Sequence, residues 1–317
     1  MKRFVLIMLV LALMVSLFAT TFAAKKITIA GIVFQEDQFM KTILTGMGDA
    51  AKKYGVELFT GNTSNNISKE IELINTYTAR GVDAICITSL SKTVSVPALK
   101  AANDKGIKII TYNTDIDADF PVSYINSSQE ELGSATGKIA RKYIETKLKG
   151  KKVIKVATLG ARSQVPEISD ARVNSFLKEI KDLPGVTVVA QQDAWLTDMA
   201  IQKVGDIMTA NPDLDIVFGL NDGATKGSVL AVKNAGKAGK VAVFGIDADA
   251  QVADFLLADD GILQAVTGQQ PYKIGYMSVE FAVKALKKQK VAKTVIVPGL
   301  TLDRNNPDAV KKFKASL

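Results

Sequence analysis

The chain has 317 residues, of which 47% are hydrophobic and 23% are charged, and its formal net charge is +8. This length allows two domains of ordinary size, and the composition is that of a globular protein. The sequence has no histidine and one cysteine, Cys86, which excludes Ser-His and Cys-His nucleophilic sites, an intrachain disulfide and a Cys-based zinc site. Lysines occur mostly in pairs without interleaved aromatic residues, so we do not expect nucleic-acid binding. We also expect no cofactor.

The N-terminal segment has the pattern of a secretory signal peptide, which we predict to span residues 1–23. Two cations precede a long uncharged, apolar run, and this run ends in the small residues Thr21 and Ala23, spaced as a cleavage site requires. A retained membrane anchor is the alternative, although the strongly apolar part is short for a membrane span. No cysteine stands near the cleavage site, which excludes a bacterial lipoprotein anchor. We therefore predict an exported, soluble mature protein that begins near Ala24 or Lys25.

Strand-like and helix-like segments alternate regularly through the rest of the chain. The predicted strands, in order, are KITIAGIV, VELFTG, DAICITSL, IKIITYN, VSYIN, VIKVATLG, VTVVAQQ, DIVFGLN, VAVFGID and ILQAVTG. Each is dominated by small or branched apolar residues and is followed by a segment with helical periodicity, several of which end at a glycine. Continuous apolar strands with helical crossovers predict an α/β fold with two doubly wound, parallel-sheet domains of similar design.

Polar and aromatic side chains follow most of these strands, at the edge where doubly wound sheets bind ligands. The candidates are Asp37, Phe39 and Met40 after the first strand, Asn113 and Thr114 after the fourth, Arg172 in the helix after the sixth, Trp195 after the seventh, Asn221 after the eighth, Asp247 after the ninth and Gln269 after the tenth. Each carboxylate or amide alone is explained equally well as a helix cap, and the tryptophan alone as a core residue. Capping does not explain the aromatic rings or the arginine. Amides and carboxylates bind hydroxyl groups, and flat rings pack on the C–H face of a sugar, so the set predicts a site for a neutral polyhydroxylated ligand.

Several longer segments occur in a recognisable order, among them DQFMKTILTGMGDAAKKYG, ISKEIELINTYTARGVDAICI, ANPDLDIVFGLNDG and DGILQAVTGQQPYKIG. In these the chain resembles the type I periplasmic solute-binding proteins of the ribose-binding type, the receptor components of bacterial ABC sugar importers. The resemblance implies two doubly wound lobes joined by three hinge strands, which cross near Asn126–Ser128, Gln269–Pro271 and Pro298–Gly299. It further implies an N-terminal lobe of residues 24–127 plus 270–298 and a C-terminal lobe of residues 128–269 plus 299–317.

The resemblance places the ligand contacts on the same candidates, with three departures. Met40 stands where ribose receptors have a second stacking aromatic ring, Asn113 and Thr114 replace an Asp-Arg pair, and Trp195 replaces a stacking phenylalanine. The remaining candidates match the family's contacts: Asp37, Phe39, Arg172, Asn221, Asp247 and Gln269. Because of the departures, the resemblance does not point to ribose itself, and a different pentose, a hexose or a polyol fits.

The sequence therefore predicts a non-enzymatic, monomeric periplasmic receptor that delivers a neutral monosaccharide or polyol to an ABC permease and its ATPase. A receptor for a sugar-like signalling molecule, read by a sensor or chemoreceptor, is the alternative, and the sequence does not separate the two. The sensing domain of a transcription repressor shares the implied fold, but a signal peptide stands where its helix-turn-helix would be. A glycosidase that uses carboxylates such as Asp222 and Asp247 lacks a supporting nucleophile–base pair or metal cluster.

Overall fold

The computed structural model describes residues 26–36 and 38–317, so the predicted signal segment and Asp37 lie outside the described residues. The strands are β1 Thr28–Val33, β2 Glu57–Asn62, β3 Ala84–Ile87, β4 Lys108–Tyr112, β5 Ser123–Asn126, β6 Ile154–Gly160, β7 Val186–Asp193, β8 Ile216–Gly219, β9 Ala242–Ile246, β10 Leu263–Gly268, β11 Thr294–Ile296 and β12 Leu300–Asp303. The helices are α1 Gln38–Tyr54, α2 Ile67–Arg80, α3 Val96–Asp104, α4 Gln129–Lys147, α5 Pro166–Ile180, α6 Thr197–Ala210, α7 Asp222–Asn234, α8 Ala250–Leu257, α9 Pro271–Leu286 and α10 Pro307–Lys314. Within this part of the chain, no helix has both the length and the apolar character needed to cross a membrane.

The strands form two six-stranded sheets with the same order. The first sheet runs β11-β5-β4-β3-β1-β2 and the second runs β12-β10-β9-β8-β6-β7. All neighbours in the first sheet are parallel, whereas in the second sheet β12 pairs antiparallel with β10. The prediction of two doubly wound parallel-sheet domains is confirmed, with the antiparallel edge strand β12 as a departure from it.

Helices cover both faces of each sheet, which explains why the strands read as continuous apolar runs. In β1, Ile29 and Val33 point into one hydrophobic cluster, while Ala30 and Ile32 point into another on the opposite face. The side chains alternate because the side-chain period of a strand is two. Cys86 of β3 is 0% exposed and packs in the first of these clusters, so the thiol is a core side chain.

The chain passes between the two sheets three times. It leaves β5 for α4, which packs on β9 and β10 of the second sheet, and it leaves β10 for α9, which packs on α1 and on β3 to β5 of the first sheet. The third crossing joins β11 to β12. We call the first sheet with α1 to α3 and α9 the first lobe, and the second sheet with α4 to α8 and α10 the second lobe. The first two crossings begin directly at the carboxyl ends of β5 and β10. The boundaries of the two lobes that were predicted from the sequence stay a prediction.

Two glycines allow α9 to lie unusually close to α1. A Cβ atom at Gly46 of α1 would strike the carbonyl oxygen of Tyr272, and one at Gly275 of α9 would strike that of Ile43. Both contacts are with backbone, which cannot move aside as the end of a flexible side chain can. We call this close contact of α1 and α9 at Gly46 and Gly275 the interlock. It holds α9 on the first lobe, although α9 follows most of the second lobe in the chain.

Candidate functional site

Equivalent strands of the two sheets end in the same unusual backbone conformation. Asn113 follows β4 with φ of 59°, and Asp247 follows β9 with φ of 68°. Left-handed backbone is costly for most residues and, among residues other than glycine, is tolerated best by asparagine and aspartate. Residues held in this region often cluster at functional sites. The two strand ends are therefore alike, because each places a polar residue with left-handed backbone at the carboxyl edge of its sheet.

Arg172 is the most constrained of the predicted site residues. It lies in the second turn of α5 with 6% of its surface exposed. Its Nη1 donates to the carbonyl oxygen of Leu220 at 2.9 Å and to Oδ2 of Asp247 at 3.2 Å, and its Nε donates to Oε1 of Gln129 at 2.8 Å. A buried charge requires both a counter-ion and hydrogen bonds, and here it has both.

Gln269 completes this group from the second crossing. Its Nε2 donates to Oδ1 of Asp247 at 3.3 Å, so the Asp247 carboxylate accepts from Gln269 on one oxygen and from Arg172 on the other. The structure thus joins three of the predicted contacts, Arg172, Asp247 and Gln269, in one hydrogen-bonded group at the carboxyl edge of the second sheet.

Asn221 and Trp195 form a second pair at the same edge. Asn221 caps α7 by accepting from the backbone nitrogen of Ala224 at 2.9 Å, and its Nδ2 donates to the carbonyl oxygen of Trp195 at 3.1 Å. Trp195 is half-buried and packs against the hydrophobic core of the second lobe. The capping interpretation is therefore correct for Asn221, and the same side chain also holds the backbone that carries the tryptophan. Part of the indole packs on the core and part remains exposed.

The first lobe contributes a network around the end of β4. The Tyr124 hydroxyl donates to the carbonyl oxygen of Asn113 at 3.1 Å and accepts from Nδ2 of Asn126 at 2.6 Å. Burial, with a smaller contribution from the Asp115 carboxylate, raises the pKa of Tyr124 to about 12. The tyrosine therefore stays a neutral donor at physiological pH. The Asn113 side chain reaches the Thr88 hydroxyl only at 3.5 Å.

The remaining candidates of the first lobe are held in different ways. Thr114 is half-buried, and its backbone nitrogen donates to the carbonyl oxygen of Tyr112 at 2.6 Å. Phe39, near the start of α1, is half-buried against the core of the first lobe, whereas Met40 is 1% exposed and lies within that core. Asp37 lies outside the described residues. Ligand contact by these four residues stays a prediction.

Three polar atoms at the crossings are buried without a hydrogen-bond partner among the described residues. They are Oδ1 of Asn126, Oγ of Ser127 and Oε1 of Gln269. Native proteins pair most of their buried polar atoms, so such a group concentrated at two crossings is unusual. Sequence reasoning missed Ser127 and Gln129, although the run SSQ follows the fifth predicted strand just as polar residues follow the others.

Sequence reasoning also missed a second cation at this edge, Lys226. Its Nζ donates to Oδ2 of Asp222 at 3.1 Å and also to Asp249, which caps α8. Burial lowers the pKa of Lys226, but the hydrogen bonds to Asp249 and Asp222 outweigh it and place the pKa above its ordinary value. Across residues 26–36 and 38–317, no group of three or more His, Cys, Asp or Glu side chains is placed to hold a metal ion.

Two doubly wound lobes, joined by three crossings and carrying their polar residues at the carboxyl edges, define a two-lobed ligand-binding protein. Residues 30–290 match the periplasmic binding protein domain, and the chain belongs to that family. The family assignment made from the sequence is confirmed, and the protein is a binding protein rather than an enzyme.

Known proteins similar to this chain agree with the assignment. An ABC transporter periplasmic-binding protein of Escherichia coli is 31% identical over 282 residues, covering 86% of this chain and 84% of that protein. The ribose import binding protein of Salmonella typhimurium is 31% identical over 287 residues, covering 89% of this chain and 93% of that protein. The crystal structure of an ABC transporter periplasmic solute binding protein from Actinobacillus succinogenes, with bound D-allose, has a TM-score of 0.79 at 26% identity and covers 90% of this chain and 100% of that one.

Proposed function

We propose that this protein is an exported receptor that captures a neutral monosaccharide or polyol between its lobes and delivers it to an ABC-type importer. The observation that carries the proposal is the hydrogen-bonded group of Arg172, Asp247 and Gln269 at the carboxyl edge of the second sheet. Amide, guanidinium and carboxylate groups so placed can bind several hydroxyl groups of one ligand. Trp195, half-buried at the same edge, supplies a flat apolar face for a sugar ring.

The charges at this edge support an uncharged ligand. The Arg172 guanidinium is paired with Asp247, and Lys226 is paired with Asp222 and Asp249. An anionic ligand would meet cations that already have carboxylate partners, and it would also meet the carboxylates themselves. A neutral polyhydroxylated ligand can bond to both kinds of group without an unbalanced charge.

The similar proteins support the same ligand class and partner. One is named a ribose import binding protein, and another was crystallised with bound D-allose. By analogy, we infer that the protein works as a monomer with an ABC permease and its ATPase. Its lobes would comprise residues 24–127 plus 270–298 and residues 128–269 plus 299–317, and ligand contacts on both would favour their closure.

Thermal unfolding of the mature protein with a panel of ligands tests the function. D-ribose, D-xylose, D-allose, D-tagatose, D-arabinose and myo-inositol form the neutral set, and ribose 5-phosphate and glutamate are the charged controls. A ligand at a hundred times its Kd stabilises the folded state by about 2.7 kcal/mol, which raises Tm by about 4–5 °C. We expect such a shift from at least one neutral compound. A shift with ribose 5-phosphate or glutamate and with none of the neutral set would contradict the proposal.

Trp195 should report ligand binding through its fluorescence, since it is the chain's only tryptophan. We expect a saturable change in emission with any neutral sugar that raises Tm, because closure of the lobes removes water from the exposed part of the indole. Trp195→Ala should weaken binding of that sugar about tenfold or more, through lost stacking and lost apolar burial. An unchanged emission at saturation, with unchanged affinity in a folded Trp195→Ala protein, would remove Trp195 from the site.

The N-terminal segment predicts export and cleavage. We expect mass spectrometry of protein from the native host to give a mature N-terminus near Ala24, because the residue pattern up to Ala23 suits a signal peptidase. Membrane-bound protein that retains Met1 would contradict this prediction and favour the alternative of an uncleaved anchor.

A further inference from the structure

A continuous path of side-chain hydrogen bonds runs from the first crossing to the second through Arg172. Gln129, the first residue of α4, donates from Nε2 to the carbonyl oxygen of Ser127 at 3.3 Å and accepts from Nε of Arg172 at 2.8 Å. Arg172 donates to Asp247, which also accepts from Gln269 at the second crossing. Gln129 is thus the link between Arg172 and the first crossing, 43 residues away in the chain.

The orientation of the Gln129 amide follows from its two partners. A guanidinium only donates, so Oε1 of Gln129 must face Arg172. A backbone carbonyl only accepts, so Nε2 of Gln129 must face Ser127. The two contacts use opposite ends of the amide, and a rotation of the amide by half a turn would lose both. Gln129 therefore holds its acceptor oxygen in a defined place.

The bond to Gln129 fixes an edge of the guanidinium that the other contacts leave free. Leu220 and Asp247 both accept from Nη1, at one end of the planar group. Gln129 accepts from Nε, so the plane is held at two separate points. Together with the covalent bond to Cδ, these two points fix the plane, so its remaining N–H groups keep one direction. Ser127, which anchors Gln129, is itself 1% exposed.

We propose that Gln129 is a positioning residue for ligand capture, which orients the Arg172 guanidinium toward the ligand from the first crossing. The proposal rests on the proposed function, because it concerns the same site. Gln129 acts through Arg172 and anchors it to the segment that joins the lobes. Loss of its acceptor oxygen lets the guanidinium turn, and the ligand then meets a donor that is no longer held in the bonding direction.

Two substitutions separate the acceptor of Gln129 from its size and shape. Gln129→Met removes the acceptor and keeps a similar length, whereas Gln129→Glu keeps an acceptor for Arg172 and loses the donor to Ser127. Gln251→Met is the matched control, since Gln251 is an exposed glutamine in the first turn of α8. The probe is whichever of the six neutral compounds raises Tm most, titrated by calorimetry. We expect Gln129→Met to weaken its affinity about tenfold, and Gln129→Glu and Gln251→Met to stay within about threefold of wild type.

A double-mutant cycle with Arg172→Lys and an NMR measurement test whether Gln129→Met weakens binding through Arg172. If Gln129 acts through Arg172, Gln129→Met should weaken binding much less in the Arg172→Lys protein than in wild type. In the ligand-free protein, the Arg172 Nε–H signal, assigned by its absence in Arg172→Lys, should exchange slowly in wild type and in Gln129→Glu and rapidly in Gln129→Met. Unchanged affinity in Gln129→Met, an equal loss in both backgrounds, or an Nε–H signal insensitive to Gln129→Met would overturn the proposal. Absence of binding by wild type to all six compounds would instead count against the proposed function.

Discussion

Replacement of Arg172 by methionine is expected to lower the affinity for neutral sugars at least about a hundredfold. Arg172 is buried, and hydrogen bonds from a charged donor contribute about 1.5–3 kcal/mol each. Loss of two such bonds to ligand hydroxyl groups amounts to about 3 kcal/mol or more, and each 1.4 kcal/mol is a factor of ten. The loss should be larger than for any other single substitution at this site, because Asp247 also loses the partner that fixes one of its oxygens. Calorimetric titration with the sugar that raises Tm most measures the effect.

Arg162→Met is the matched control for this change. Arg162 lies in the loop between β6 and α5, on the same connection that leads to Arg172, and its exposed side chain pairs with Asp170. The affinity of the Arg162→Met protein for the sugar should stay within about threefold of wild type, because exposed ion pairs contribute little. An Arg172→Met protein that is folded by its thermal transition and still binds like Arg162→Met would show that Arg172 does not contact the ligand.

Gly275→Ala is expected to destabilise the protein by about 1–3 kcal/mol or more, although it adds only one methyl group. The new Cβ would overlap the backbone oxygen of Ile43, so α1 and α9 would have to separate along their contact. Gly46→Ala should have a comparable effect, since its Cβ would meet the backbone of Tyr272. Urea unfolding followed by circular dichroism measures the change in free energy.

Gly48→Ala is the control on the same helix. A Cβ at Gly48 has no atom within 4 Å, so the substitution should stabilise α1 by about 0.5–1 kcal/mol through helix propensity alone. Opposite signs for Gly48→Ala and Gly275→Ala would identify close packing as the cause. Equal effects of the two substitutions, or stabilisation by Gly275→Ala, would show that the helices have room to adjust.

Most of the fold could be predicted because β1 to β10 are visible in the sequence as short apolar runs. The ten predicted strands all appear as β1 to β10, although the expected helix after the fourth is absent, since β4 leads through a loop straight to β5. β11 and β12 could not be predicted in this way, since they have three and four residues and are largely exposed or half-buried. Their stability comes from pairing with β5 and β10, which are far away in the sequence.

The site was predictable in composition but not in its internal contacts. The carboxyl ends of the strands identify Arg172, Asp247 and Gln269, because parallel strands bring distant residues to one edge. Nothing local shows that Gln129 bonds to Arg172, since the contact depends on how α4 and α5 pack. Similarly, the pattern around Asn221 fits a cap or a site residue equally well, and the structure shows that capping uses only one end of its amide.

The interlock of α9 with α1 determines the order in which the lobes can form during synthesis. Most of the second lobe, from α4 to β10, is one continuous stretch of chain and can assemble once residue 268 is available. The first lobe begins earlier but lacks α9 and β11, so α1 and one face of β3 to β5 stay uncovered until residues 271–296 emerge. Such long-range completion slows folding. The lobe that is begun first is therefore complete only at residue 296, and β12 and α10 of the second lobe follow it, so a nascent chain of this topology stays incompletely folded until it is nearly full length.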